Sequence, residues 1–393
     1  MLGYTQPKEH EYRLKNIAKR FSYAVVGNPS SPEVEKEFTD ILDELALLTI
    51  DENRKFAEQS ISWRTRKNER LSTIFGIGMN GRHFESPHGF GTYVDLLNNS
   101  FHAVMPMPTW RELEPLPGKF DWERLENQLI TPFRFGFQIM LGPLISFSAD
   151  ALPDWLLQNI SDGNYLGNRA TLFVNSVAER YGHLAHSWVL ANRFMFSSLP
   201  GVPQSLSIAL VRMLAQRLRS QGIRTPIIVG INQPWGEYAL QRTPEWGQVR
   251  IAEALVGCRE IDAFLLEMDF GCGDYLSLPR NPMCVGSMID QWSFIGKKIY
   301  VSLSIPSAGN PVSATSKLAP EMQWSDEKQK TWTEVLLLTL LGRRSVRGII
   351  WSHIQDSAAS SGFTPHHSGL LNVQQVIKPA LKHFSAVRKN LLK

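Results

Sequence analysis

The chain has 393 residues, 43% hydrophobic and 10% aromatic, enough to bury a large core as one big domain with an appendage or as two ordinary ones. Its 41 basic and 37 acidic residues leave a net charge of +4, and the two signs are interleaved along most of the chain, so composition gives no footprint of a nucleic-acid partner. Cys258, Cys272 and Cys284 are odd in number and lack C-x-x-C spacing, which argues against a disulfide framework or a zinc cluster and fits a reducing compartment.

The start "MLGYTQPKEHEYRLK" carries charges where a signal peptide has its apolar core, and the longest apolar run, "FQIMLGPLISF", is too short to span a bilayer. A soluble, cytoplasmic protein with no membrane partner is expected. Residues 1–70 are charge-rich. They hold one clear helix start, "SSPEVEKEF", with Ser31 as N-cap and Pro32 at the first helical position, followed by Val34, Phe38, Ile41, Leu42, Leu45 and Leu48 at helical spacing. This segment reads as a largely helical arm on a main domain spanning 71–393. The basic runs "RTRKNER" (Arg64 to Arg70) and "LGRRSVR" (Leu341 to Arg347) read as solvated faces or helix ends.

Beyond residue 70, short apolar segments alternate with amphipathic stretches of helix length. Eight candidate strands cover 73–79, 101–106, 137–144, 186–192, 226–232, 262–269, 298–304 and 347–352. Their spacing leaves one helix and one loop per unit, and eight such units close into a (β/α)8 TIM barrel with an N-terminal helical extension, an α/β fold. An open doubly wound sheet is the rival, but no G-x-G-x-x-G follows any strand. A barrel places its chemistry at the C-terminal strand ends. In chain order these carry Asn80 and Arg82, Trp110, Asp150, Asn192 and Arg193, then Gln233, Trp235 and Glu237. Glu267 and Asp269, Ser302 and Ser304, and finally Trp351, His353 and Asp356 complete the set.

The segments "FHAVMPMPTWRELEPLPGKFDWERLENQL", "ALPDWL", "WVLANR", "GIN", "IDAFLLEMD" and "GIIWSHIQDSAASSG" with "GLLNVQQVIKPAL" follow one another in an order that resembles glycoside hydrolase family 10, the endo-1,4-beta-xylanase type, over roughly residues 73–385. "FHAVMPMPTWRELEPLPGKFDWERLENQL" resembles its second-strand region, "ALPDWL" the segment after strand three, "WVLANR" a strand-four motif ending Asn-Glu, and "GIN" the strand-five Asn. "IDAFLLEMD" resembles the strand that ends Gln-x-His, and "GIIWSHIQDSAASSG" with "GLLNVQQVIKPAL" the eighth strand and the closing segment. The resemblance implies hydrolysis of O-glycosyl bonds in a β-linked oligo- or polysaccharide, with no cofactor. It also implies two catalytic glutamates, and this chain has Arg193 at the acid/base position and Ser302 at the nucleophile position. An arginine stays protonated near neutral pH and cannot be the general acid, and no histidine aligns beside Ser302 to serve as its base.

The family mechanism therefore does not carry over, and other carboxylates are the candidates. Glu267 stands on a strand otherwise made of Phe264, Leu265, Leu266 and Met268, and Asp269 shares its face. Either could have its pKa shifted by burial and by the other, or Glu267 could simply pair with Arg193 to hold the barrel mouth. Glu237, in the turn "QPWGEY", is the other candidate partner or else an exposed acid on a structural turn. Trp110, Trp235 and Trp351 could stack on sugar rings or fill the core, with Trp155 reading as packing. Asn192 and Asn232 could donate to sugar hydroxyls or satisfy strand-end backbone. His366 and His367, with His353 and Asp356, lie around a Ser/Gly-rich loop, and no metal is expected. Phosphate capture by the loops "SIPSAGN" and "QDSAASSG" is weighed and set aside as ordinary loop composition. Two expectations remain: a glycosidase with relocated carboxylates, or a catalytically silent barrel that keeps a glycan-binding cleft.

Overall fold

In the computed structural model the eight apolar segments form parallel strands: β1 (Ile74–Met79), β2 (Ala103–Pro106), β3 (Gln138–Leu141), β4 (Ile145–Ser146), β5 (Ser187–Asn192), β6 (Ile227–Asn232), β7 (Ala263–Asp269), β8 (Lys298–Ser304) and β9 (Val346–Trp351). The structure describes residues 4–27, 31–67, 69–79, 87–195, 199–240, 246–270, 277–308, 323–357 and 367–393. The third barrel stave is split at Gly142-Pro143 into β3 and β4, which both pair with β5, so nine strands make eight staves and the sheet closes on itself. Each stave is followed by a helix packed outside, the expected (β/α)8 architecture.

Both faces of such strands are apolar, and the alternation decides which environment each residue enters. In β7, Phe264, Leu266 and Met268 point into the main core between barrel and helices, while Ala263 and Leu265 belong to a smaller cluster inside the barrel. That inner cluster, with Met105, Met140, Val189, Ile228, Tyr300 and Ile350, plugs the barrel. Glu267, two residues beyond Leu265, therefore faces the barrel axis directly above an apolar plug, and Asp269 shares that face.

The N-terminal residues form two helices, α1 (Lys8–Val26) and α2 (Pro32–Thr65). Pro32 opens α2 as expected, but the Ser31 side chain caps no backbone N–H and instead bonds Glu33. Its last turns lie on the helix Asp326–Leu341: Asn53 Nδ2 donates to Thr339 Oγ1 at 2.7 Å, Ser60 Oγ to Gly342 O at 2.5 Å and Arg64 Nη1 to Leu341 O at 2.6 Å. His10 of α1 is buried between Asp51 and Glu52 of α2, with 2.7 Å to Asp51. Burial opposes its protonation, but the bonds to both carboxylates prevail and raise its pKa. Among the described residues, no helix is long and apolar enough to cross a membrane.

Candidate functional site

The polar layer above the plug is built from strand ends. Asn192 closes β5, Gly230 and Asn232 lie on the inward face of β6, Glu267 and Asp269 on that of β7, and Ser302 and Ser304 on that of β8, with backbone register aligning Asn232, Glu267 and Ser302 across three strands. Gly230 makes the central contact possible. A Cβ there would stand 2.6 Å from Asn192 Cβ and 2.8 Å from Glu267 Oε1, so its bare backbone leaves the gap through which Asn192 Nδ2 donates to Glu267 Oε1 at 2.8 Å. Replacing Gly230 with Ala should break that bond and overpack the layer, lowering stability by about 1–3 kcal/mol. A denaturant melt unchanged from wild type would contradict this.

Glu267 is buried at 9% exposure. Burial first, and the charge of Asp269 second, push its pKa up to about 7, against the opposing Asn192 bond and the Arg193 charge. Burial likewise raises Asp269 to about 6 against Arg193. Arg193 sits in the left-handed region at φ 57°, a conformation uncommon for a non-glycine residue. Its Nη1 lies 3.3 Å from Ser148 Oγ and 3.8 Å from Asp150. The guanidinium therefore acts on Glu267 and Asp269 through space, and the carboxyls remain more easily protonated than ordinary ones.

Both amide atoms of Asn232, only 1% exposed, have no hydrogen-bond partner among the described residues, and neither does Asn192 Oδ1. Neither side chain satisfies strand-end backbone. Buried amides left open in this way point to a polar ligand or ordered water at the mouth.

Other expected site residues are placed elsewhere. Glu237 is buried in an ion pair with Arg280, 2.6 Å from Nη1, which holds one of its oxygens, and the Arg280 guanidinium covers Trp235 at 4.5 Å. Trp235 stays half-buried on its turn beside Phe270. Trp110 and Trp351 are corrected from sugar platforms to core. Trp110 is 1% exposed, stacks on Phe173 and donates to Glu114 at 2.7 Å. Trp351 points outward, opposite in parity to Ile350, donates to Ser368 O at 2.8 Å and packs edge-on to Phe384. Trp155 donates to Glu114 O at 3.0 Å, a packing role as expected.

Ser302 Oγ lies 2.8 Å from Ser352 Oγ, which donates in turn to Leu303 O, so its proton is committed along a short chain. His353 bonds Ser368 Oγ, and Asp356 is engaged by Lys378. Asn80, Arg82, Cys272 and His366 lie outside the described residues, as does part of each loop weighed for phosphate. Among the described residues no cluster of three His, Cys, Asp or Glu side chains gathers as a metal site. The sequence reading did not find Gly230 or Arg280; a glycine one alternation below a strand-end Asn was the available signal for the first, and nothing marked the second.

No protein-family model matches the chain, and no curated protein matches it. Solved structures do. The chain is similar to xylanase 10B from Thermotoga petrophila RKU-1 in complex with xylobiose, with 12% identity and a TM-score of 0.60 over 85% of this chain and 97% of that one. It is similar to the glycosylated endo-beta-1,4-xylanase of glycoside hydrolase family 10 from Gloeophyllum trabeum, with 14% identity and a TM-score of 0.60 over 80% and 95% of the two chains. An endo-1,4-beta-xylanase from Caldicellulosiruptor owensensis matches with 12% identity and a TM-score of 0.58 over 80% and 96%. At such identities the likeness establishes the barrel fold of xylanases of this type.

Proposed function

We propose that the mouth of the barrel binds a β-linked saccharide and hydrolyses it with Glu267 as general acid and Asp269 as general base. The observation that carries this reading is the pair of inward-facing carboxyls on one strand, with pKa values split to about 7 and about 6, beside the open amides of Asn192 and Asn232. Positions two apart on a strand are separated by roughly 6.6 Å. That is a backbone spacing, from which two side chains of this length can set their carboxyls at the roughly 6.5–9.5 Å an inverting pair keeps. The two positions that the family resemblance assigns to a retaining pair hold Arg193 and Ser302 in this chain. Glu237 is the weaker partner because Arg280 already holds it. Asn192 and Asn232 would hold sugar hydroxyls, Arg193 would keep Asp269 ionised, and Trp235 would border the rim.

Xylan-derived oligosaccharides head the list of ligands, since one structural neighbour holds xylobiose and another xylotriose. The second reading, a glycan-binding barrel without hydrolysis, is favoured by Arg193 and Ser302 and by the engaged proton of Ser302. A panel of xylan- and glucan-derived β-linked oligosaccharides, assayed for both cleavage and binding with wild type and Glu267→Gln, decides between them. Cleavage lost in the variant supports hydrolysis at Glu267. Binding without cleavage selects the silent barrel, and neither binding nor cleavage sinks the saccharide site altogether.

A further inference from the structure

The two basic runs at Arg64 to Arg70 and Leu341 to Arg347 are separated by some 270 residues in sequence, yet they meet. They line one pocket of about 360 Å³ beside the N-terminal ends of β1 and β9, the end of the barrel opposite the polar mouth. Arg64, Arg66, Lys67 and Arg70 come from the end of α2 and the link to β1, Arg344 from the turn before β9 and Arg347 from the first residues of β9. Lys393 also borders the pocket, and Glu69 is the acidic side chain in the lining.

None of these cations forms an ion pair with an acid among the described residues. The contrast with Arg343, in the same run, is direct: it lies 3.4 Å from Asp290 and donates to Gly286 O. Arg64 is half-buried and fixed by its bond to Leu341 O, while Arg70 donates to Leu392 O at 3.1 Å. Burial, together with the neighbouring charges of Arg344 and Arg347, lowers the pKa of Arg64, a sign of like charge crowded without a counter-ion. Trp63 lies under two of the guanidiniums, 4.6 Å from Arg66 and 5.6 Å from Arg344, and so limits the orientations of both.

We propose that this pocket binds a ligand bearing two or more clustered phosphate groups. Guanidinium forks match phosphate oxygens two at a time, and several on one wall suit a dense, multiply charged anion better than a single carboxylate. The volume equals that of about a dozen waters at ~30 Å³ each, more than one phosphate fills. The cations surround a pocket instead of forming a long stripe, and the other charges of the chain are interleaved, which favours a compact ligand over an extended nucleic-acid backbone.

Titration calorimetry tests this with tripolyphosphate as the probe, on wild type, on Arg344→Gln/Arg347→Gln and on Lys8→Gln/Lys36→Gln as a charge-matched control away from the pocket. Arg66→Gln, also at an exposed position, serves as a second pocket variant should the double variant fold poorly. The expected result is saturable binding of one tripolyphosphate per chain, at least tenfold weaker in the pocket variants and unchanged in the control. Phosphatidylcholine vesicles doped with a phosphoinositide form a second arm: binding that tripolyphosphate competes away places the phosphates on a lipid headgroup, and binding of free tripolyphosphate alone places them on a soluble ligand. The proposal is overturned by no saturable binding of either probe, by equal weakening in pocket and control variants, or by binding of a single-stranded RNA oligomer where tripolyphosphate fails.

Discussion

Glu267→Gln is expected to be more stable than the wild type at neutral pH and above, and to lose hydrolysis at the same time. The Glu267 carboxyl titrates near 4.5 in the unfolded chain and at about 7 in the fold, and Asp269 moves from 3.8 to about 6. A raised folded-state value means that the protonated group stabilises the fold fully below its unfolded value. That stability is lost as pH rises through the folded value, here between about 4.5 and 7 for Glu267. A shift of this size corresponds to roughly 3 kcal/mol at ~1.4 kcal/mol per unit. Gln imitates the neutral acid and keeps an oxygen to accept from Asn192, so the variant escapes the loss. Urea denaturation at pH 5 and pH 8 should show the stability difference between variant and wild type growing by about 3 kcal/mol toward the higher pH. A difference that stays flat would mean that Glu267 is not held neutral, and its role as general acid would fall with it. For activity, removal of a general acid lowers turnover by about 10²–10⁴-fold. Because acid and base must be protonated and ionised respectively, the wild-type rate should peak between the two titrations, near pH 6 to 7, with both limbs belonging to the coupled pair.

The barrel was legible because its eight apolar segments are bounded by turns and separated by helix-length stretches, a pattern that fixes strand existence without long-range information. The alternation put Glu267 and Asp269 on one face of β7 but left open whether that face lines the mouth or turns toward the helices. Glu267 and Asp269 stand out on β7, whereas Trp351 and Ile350 are equally apolar, so nothing local told that Ile350 faces the axis and Trp351 the helices. Trp110 failed for another reason: it opens the short helix Trp110–Leu113 after β2, with its indole N–H satisfied by Glu114 within the core. The pairing of Glu237 with Arg280 joins residues 43 positions apart through a loop, and no periodicity reports such a contact. In the N-terminal arm the proline start of α2 was readable, while α1 begins after Pro7 with no side-chain cap and left no comparable mark. The basic runs read as solvated faces or helix ends, and their convergence on one pocket is a tertiary fact that neither run reports.

Lys378→Met is expected to cost about 3–5 kcal/mol of stability. Lys378 closes the chain onto the barrel at the entry to the helix Pro379–Leu391, and its side chain is 4% exposed against 6% for Asp356. Its ammonium donates to Asp356 at 2.7 Å and to Ser307 Oγ at 2.6 Å, while Asp356 also accepts from the Gly369 N–H at 2.8 Å. Ser307 follows β8 and Asp356 follows β9, so one cation ties the segments after two adjacent staves to the start of the last helix. Methionine matches the aliphatic stem but leaves the buried Asp356 charge with only the Gly369 N–H and, at 4.0 Å, His367 Nδ1, and the lost ammonium is the source of the penalty. The double variant Lys378→Met/Asp356→Asn removes the charge with its partner and should recover a large part of the stability, which a denaturant melt of the three proteins would measure. A loss below about 1 kcal/mol in the single variant would mean that water reaches Asp356 and that the pair behaves as a surface ion pair. If the predicted loss is found, the segments after β8 and β9 are held by a buried ion pair that stands apart from the titrating carboxyls on β7. The start of the last helix would then be anchored through Lys378 to the segments after β8 and β9, a role that mutation separates from the carboxyl pair on β7.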